Sequence, residues 1–484
     1  MNNDVMELIK DKSLINGQWL NAISGKKYAV FNPATNELIT SVPDMGQADT
    51  KLAIEKAEQA QKLWAKQTAK QRSIILKRWA QLVETNLEVL ATILTLEQGK
   101  SLTDAKGEVT SSVNYIDWFA NEAMRINGDV LPPSVEGNFE FVKKRAVGVV
   151  AAITPWNFPN SMIARKVAPA LAAGCAVVIK PAEDTPLSAL ALAKLAEQAG
   201  IPAGVLNVIT ASSGQEVGQE LCANPIVRKL SFTGSTEVGK ILSRQCADTV
   251  KKLSLELGGN APFMVFDDAD LDAAVQGAIA IKFYNSGQTC ICANRLLVQD
   301  GIYDAFITKL QEALGKLRLG NGLQPDSTHG PLINEKAIQK VGSIVKKALE
   351  QGARLIQGGT NLPEIGKQFF NFTILADVTP DMDVFKTEIF GPVAAVYRFK
   401  SEDEAISLAN STNYGLAAYA YTEDRGRIFR LSDQMEYGML GINTARFVSE
   451  TVPFGGVKES GVGREGSVHG IDEFLEMHYV CIKN

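Results

Sequence analysis

The period of apolar positions changes several times along the chain, and each change marks a different kind of element. Residues 17–42 read as short strands and turns, punctuated by Asn16-Gly17 and Asn32-Pro33. From Ala48 to about Asn127 the period is helical. Leu52, Ile54, Ala57, Leu63, Trp64, Ile74, Leu76 and Trp79 recur among Lys, Glu and Gln, and a helical layer over a core accounts for them. Residues 128–146 switch to alternation. Leu131-Pro-Pro-Ser134 breaks the helix. Asn138-Phe-Glu-Phe-Val-Lys-Lys-Arg145 then reads as an exposed strand, either a sheet edge guarded by Lys143 and Lys144 or a strand paired with another subunit.

From Val147 the chain alternates apolar runs with helical stretches. The runs at 147–153, 176–180, 205–209 and 229–233 predict buried strands. Stretches 160–173, 187–199, 214–223 and 235–247 predict the helices between them. That order predicts a parallel sheet covered on both faces, with ligands beyond the carboxyl ends of its strands. Those ends carry Trp156 and Asn157, Lys180 to Glu183, and Gly234 and Ser235. A second α/β segment, about 261–440, has strands at 263–266, 295–299, 353–357 and 394–399. The tail, 465–484, closes in a further strand around His478–Ile482.

Composition narrows the class. A chain of 484 residues holds about three domains. With 45% hydrophobic and 21% charged residues it can bury a large core. The net charge is −5 and no basic block stands out, so nucleic acid and anionic membranes have no electrostatic footing as partners. The longest uncharged stretch, Ala146–Ala164, is broken by Pro155, Asn157, Pro159 and Asn160, which argues against a membrane helix. The N-terminus lacks a signal-peptide pattern, and the cytoplasm is the expected location. Of six cysteines only Cys290 and Cys292 lie close together, so no disulfide framework or zinc ribbon is expected. Three scattered histidines give little footing to a metal site or a His-based triad.

Four constellations can carry chemistry. Gly234-Ser-Thr-Glu-Val-Gly239 follows a strand and opens a helix, where free backbone N–H groups suit a phosphate. A plain turn with Ser235 or Thr236 as N-cap is the reading favoured by the motif taken alone. Cys290, in Asn285-Ser-Gly-Gln-Thr-Cys290, stands at a loop or helix start, where a thiolate can be stabilised and act as nucleophile. A buried, inert thiol is the competing reading, and packing is the expected role of Cys292. Glu256, between Leu255 and Leu257 and before two glycines, is a candidate for a burial-raised pKa and general-base work, or else a solvated turn carboxylate. Asn157, in Thr154-Pro-Trp-Asn-Phe-Pro159, either donates to a developing oxyanion or caps the next helix.

Together TPWNFP, KPAED, FTGSTEVG, LELGG, GQTC, EIFGP (388–392) and PFGG (453–456) resemble the aldehyde dehydrogenase superfamily, in its order and spacing over essentially the whole chain. LSLELGGNAPFMVFDDADLD, GQTCICANR and GREGS followed by GIDEFLE resemble the succinate-semialdehyde dehydrogenase branch. The resemblance implies an α/β fold with a Rossmann-type cofactor domain (1–125 and 147–255, with 443–464 returning near it). It adds an α/β catalytic domain (256–442) and a small β oligomerisation arm (126–146 and 465–484), hence a homodimer or homotetramer. It implies Cys290 as nucleophile, Glu256 as general base, and Asn157 with the Cys290 backbone N–H as oxyanion donors. Thr154, Pro155, Trp156, Lys180, Glu183, Gly234, Ser235, Glu388 and Phe390 match the cofactor-binding set. A small aldehyde is the implied substrate, oxidised through a thiohemiacetal and thioester. No metal is required.

Glu183 falls where the family meets the adenosine ribose. A carboxylate there bonds hydroxyls and repels a 2′-phosphate, so NAD is expected over NADP. On the substrate side Arg165 matches one carboxylate-binding arginine, but Tyr284 stands where the second is common. Arg446 and Ser449, in the loop before PFGG, and Phe454 complete the expected substrate set. Arg165, Ser449 and Arg446 would bind the carboxylate, with Tyr284 donating its hydroxyl. Succinate semialdehyde is the expected substrate. The displaced arginine keeps glutarate semialdehyde and uncharged aldehydes open. A CoA-acylating relative would lack Glu256, and a cofactor-free cysteine hydrolase gives the nucleotide-contact residues no use. A binding or structural protein on this fold would be expected to lose Cys290 or Glu256.

Overall fold

A computed structural model describes residues 3–483. The apolar runs become a six-stranded sheet in the order Gly461–Val462, Lys252–Glu256, Val227–Thr233, Val149–Ile153, Ala176–Lys180, Leu206–Val208. Its strands are parallel except for the two-residue Gly461–Val462 edge. Helices Ser161–Ala173, Leu187–Ala199, Gln215–Ala223 and Thr236–Ala247 connect the strands within a residue or so of the expected bounds. The register pairs Ile153 with Lys180 and Phe232, and Thr233 with Glu256. Lys180, Thr233 and Glu256 are therefore each the last residue of a strand, and Thr154 the first beyond one. The parallel pattern alone lines their side chains along one edge.

Helices Ala69–Thr85, Leu87–Gln98 and Leu102–Glu122 cover one face, while Gln47–Trp64 packs Ala53, Ile54 and Ala57 on the other and reaches the core of the first through Trp64. Trp64 and Trp79 are buried there, and their indoles donate to Leu171 O (3.0 Å) and Leu192 O (3.1 Å). Helix Ser161–Ala173, with all thirteen residues buried, lies within that core and contacts the helix Leu102–Glu122 closely. Arg165 and Lys166 are thus charges inside a buried helix, and such charges need internal partners. At the N-terminus Asn16 and Gly17 both take positive φ (52° and 70°), which closes the hairpin Ser13–Ile15/Gln18–Leu20 in two residues.

The second segment forms a seven-stranded sheet in the order Arg354–Gln357, Thr373–Val378, Val393–Phe399, Ala293–Gln299, Ala261–Val265, Ala417–Tyr421, Met439–Ile442. Only Arg354–Gln357 runs antiparallel. A three-stranded sheet joins the tail to the middle of the chain, and it corrects one expectation. Asn138–Ala146 is not an edge strand but the centre of this sheet, between Leu475–Lys483 and Asp129–Leu131. Leu475–Lys483 pairs with it along its whole length, from Leu475 opposite Ala146 to Lys483 opposite Asn138. Its alternation reflects two half-wet faces of a thin sheet rather than an open edge. Among the described residues no helix is long and apolar enough to cross a membrane.

Candidate active site

The loop ahead of Cys290 leaves helix Leu271–Lys282 through a left-handed stretch. Asn285 and Ser286 take φ of 49° and 55°, and Gly287 takes 76°. A Cβ on Gly287 would meet Gly391 O at 2.2 Å, so glycine is required there. Left-handed backbone costs about 1–2 kcal/mol per non-glycine residue. Hydrogen bonds hold it in place. Asn285 Nδ2 donates to Asn157 O (3.0 Å), Ser286 Oγ to Gly330 O (2.7 Å), and Gln288 Nε2 to Pro331 O (3.2 Å).

Cys290 itself is half-buried. Burial, then the carboxylates of Glu256 and Glu388, push its thiol up to about 12, against the pull of Arg165. The expectation of a thiolate stabilised by its place at a loop start is corrected here: the surrounding protein groups favour the thiol. Cys292 is buried, with Sγ 3.2 Å from Lys282 Nζ, and all six cysteines are free. This is the packing role expected for it.

Glu256 is 3% exposed, and its Oε2 has no protein partner. Burial and then the nearby Glu465 hold its carboxyl well above the usual carboxylate range, against Lys166, Arg165 and Arg464. Lys166 Nζ donates to Glu465 Oε1 inside the same core. The Asn157 carboxamide does not cap the following helix. Glu108 does so instead, its Oε1 accepting from Asn160 N (2.8 Å) and Ser161 N (3.1 Å). Asn157 Nδ2 donates to Gln288 O at 3.0 Å, which ties it to the loop two residues ahead of Cys290.

The strand-end line continues through Lys180, whose buried Nζ lies 3.1 Å from Oε2 of the half-exposed Glu183. The Thr154 and Thr233 hydroxyls are buried without protein partners. Pro155 follows Thr154 directly, and Gly234 N donates to Glu256 O at 3.0 Å. Ser235 is the N-cap of Thr236–Ala247, accepting from Val238 N (3.3 Å), so the capping reading of that motif holds. Glu388, brought in by the second sheet, accepts from Gly259 N (2.9 Å), and burial pushes its carboxyl up. Phe390, at a strained φ of 57°, meets Trp156 edge to face at 5.5 Å. Two orphan hydroxyls, a lysine and a helix N-terminus as donors, with carboxylates as acceptors, lie along one strand-end line and have the chemistry to hold a dinucleotide.

On the other side Arg165 is buried between the rings of Tyr115 and Phe454, 4.6 Å from each. Its Nε and Nη1 have no protein partner. Tyr115 donates its hydroxyl to Ser449 O (3.1 Å), and Ser449 Oγ pairs with Thr451 Oγ1 (2.9 Å). Tyr284 stacks on Phe158 at 5.7 Å, and burial lifts its hydroxyl pKa, with Asp104 and Glu108 adding and Arg446 opposing. Arg446 is exposed on its loop. The structure thus joins Arg165, Phe454 and Ser449 through Tyr115 and leaves Arg446 at the rim.

Tyr115, Lys166, Glu465, Lys100 and Glu108 were not found from the sequence. The one readable signal was Arg165-Lys166 in an otherwise apolar helix. Among the described residues no cluster of His, Cys, Asp and Glu is suited to a metal.

The profile of the aldehyde dehydrogenase family matches residues 19–480. The chain is 54% identical to a 3-sulfolactaldehyde dehydrogenase of Pseudomonas putida, covering 98% of this chain and 97% of that protein. It is 53% identical to a glutarate-semialdehyde dehydrogenase of Pseudomonas aeruginosa, covering 98% of both. It is 54% identical to the NADP(+) succinate-semialdehyde dehydrogenase GabD of Escherichia coli, again covering 98% of both.

Proposed function

The chain belongs to the aldehyde dehydrogenase family, and from that premise we propose that it oxidises a short aldehyde bearing a terminal anion, succinate semialdehyde foremost, with NAD. The observation that carries this reading is Arg165. A buried guanidinium with unsatisfied donors is costly unless an anion meets it. The three relatives are named for aldehydes that carry a carboxylate or a sulfonate. Tyr284 in place of a second arginine, with Arg446 farther out, supports glutarate semialdehyde as the second reading.

Cys290 Sγ loses its proton to solvent and attacks the aldehyde carbon, so that the C–S bond forms as the C=O π bond opens. Negative charge then develops on the former carbonyl oxygen, where the second Asn157 N–H and the Cys290 backbone N–H can receive it. The residues along the strand ends would hold a nicotinamide, which would supply the two-electron acceptor for the hydride released from the adduct carbon, and Cys290 would then carry the acyl group as a thioester. Glu256 takes a proton from water, the water oxygen attacks the thioester carbon, and the cysteine sulfur leaves. A carboxyl held above its ordinary range by burial is a stronger base than a free one, which suits that task.

The cofactor would lie against Thr154, Pro155, Trp156, Lys180, Glu183, Gly234 and Ser235, with Glu388 and Phe390 facing from the second sheet. The Glu183 carboxylate, half-exposed beside Lys180, bonds ribose hydroxyls and repels a 2′-phosphate; this supports NAD, although the Escherichia coli relative is named for NADP(+). In this reading 1–125 and 147–255 bind the cofactor and 256–442 supply the nucleophile. The three-stranded sheet, with Val130, Met477 and Tyr479 exposed, is the surface that assembles a dimer or tetramer.

The test follows nicotinamide reduction by absorbance, with NAD and NADP, over succinate semialdehyde, glutarate semialdehyde, sulfolactaldehyde and butanal. The expected result is a kcat/KM at least tenfold higher for an anionic aldehyde than for butanal, and higher with NAD. Equal values for charged and uncharged aldehydes overturn the substrate reading. Preference for NADP overturns the role given to Glu183.

A further inference from the structure

Lys100 is fully buried at the corner between helices Leu87–Gln98 and Leu102–Glu122, and none of the reaction steps above uses it. Its Nζ lies 2.5 Å from Glu108 Oε2, a pair 0% and 1% exposed. It also donates to Asn157 O at 2.9 Å and lies 3.9 Å over the Phe158 ring. Asn157 O accepts a second bond, from Asn285 Nδ2 at 3.0 Å. The carbonyl of this one residue is thus held from two sides, by the helical layer and by the loop that leads to Cys290. Its carboxamide spends one N–H on Gln288 O.

The same corner is wedged against the second segment. Gly99 takes φ +93°, and a Cβ there would strike Pro331 Cγ at 2.8 Å. Leu102 N donates to Gly322 O at 2.9 Å. Gly330 and Pro331 in turn receive the bonds from Ser286 and Gln288. A corner that only packed would gain as much from apolar side chains of equal volume, since a buried ion pair is weak in net stability. Here the charge falls where a carbonyl beside the reacting centre must be fixed.

We infer that Lys100, held by Glu108, is a positioning residue that sets the Asn157 peptide and so aims its free N–H at the developing oxyanion. This rests on the roles proposed for Cys290 and Asn157. It predicts that Lys100 acts through Asn157 and not through cofactor binding.

The experiment is a double-mutant cycle on the full-length enzyme with Lys100→Gln, Lys100→Arg and Asn157→Ala. Steady-state rates are read with the best aldehyde, NAD affinity by fluorescence titration, and folding by thermal melts. Asn157→Ala is expected to lower kcat by about 10²–10³-fold, as loss of an oxyanion donor does. Lys100→Gln should lower kcat by about tenfold, the scale of a small misplacement, with NAD affinity unchanged. In the Asn157→Ala background it should lower kcat no further, and Lys100→Arg should restore most of the rate. Equal losses in both backgrounds, a change in NAD affinity with kcat intact, or no effect overturns the inference. If Lys100→Gln does not fold, Glu108→Gln goes through the same cycle, since its amide oxygen still accepts the helix N–H groups while the ion pair is gone. An Asn157→Ala enzyme with parental kcat overturns the proposed reaction roles together with this inference, whereas additivity with a crippled Asn157→Ala enzyme overturns the inference alone.

Discussion

In the proposed reading the two ends of the substrate meet opposite kinds of surroundings. At the reacting end Asn157 is bonded at its carbonyl and its amide, and Gln288 accepts, donates and anchors Ile333 N. At the tail end Arg165 keeps two donors without partners, Ser449 sits on a half-buried loop, and Arg446 is exposed. A bonded network fixes geometry, which the chemistry needs. Free donors leave affinity to whatever anion arrives. Reaction type and substrate choice therefore rest on different physical features and can be altered separately.

The sharpest test of that separation is Glu256→Gln, which should have the largest effect. Without a base for water, thioester hydrolysis slows by about 10²–10⁴-fold. Thioester formation needs no proton transfer to Glu256, so rapid mixing should show a burst of NADH near one per active site before the slow phase. The sign with pH follows from burial. Glu256 titrates well above the ordinary carboxylate range, so below that point it is protonated and cannot act as base. Parental kcat should rise with pH through this ionisation, and the glutamine variant should lose that limb. Loss of the burst as well would show that Glu256 also deprotonates Cys290.

The same contrast explains what could be read in advance. Helix and strand order was legible because buried parallel strands are continuous apolar runs, and Ser235 announced its helix as an N-cap does. Cys290, Glu256 and Asn157 each kept a structural alternative in their local motifs, and it was the family resemblance that singled them out together with Arg165; the structure brings Cys290 within electrostatic reach of Glu256 and Arg165. Lys166 with Glu465 was not, since 299 residues separate them and nothing near either names the other. Tyr115 and Lys100 lie in an amphipathic helical region where any single polar residue looks like surface. Asn138–Ala146 was expected either at a sheet edge or paired with another subunit, and its pairing inside the chain was missed because the partner strand arrives from the far end. The raised Cys290 thiol was missed because the loop-start rule ignores burial and the carboxylates of Glu256 and Glu388 that distant segments bring near.

Arg165→Met keeps the stem between Tyr115 and Phe454 and removes the charge, so it probes the tail end alone. Hydrogen bonds to charged groups contribute about 1.5–3 kcal/mol each, so KM for succinate semialdehyde should rise roughly 10- to 100-fold. KM for butanal should stay near its parental value, and kcat should change little on either. A matching loss on both aldehydes would mean that Arg165 holds the site together rather than the anion, and the contrast between the two ends would fail.

The smallest expected effect belongs to Arg446→Ala. An exposed guanidinium is screened, and its attraction for a carboxylate is worth little, so a KM increase of about fivefold or less is expected. What identifies its role is the pattern across substrates and salt. The Arg446 charge acts on the Tyr284 hydroxyl, and in the proposed reading it would meet a longer tail. The increase should therefore be larger for glutarate than for succinate semialdehyde, absent for butanal, and smaller as ionic strength rises. An equal, salt-independent effect on all three aldehydes would remove Arg446 from substrate binding and leave Arg165 as the anion receptor of the tail end.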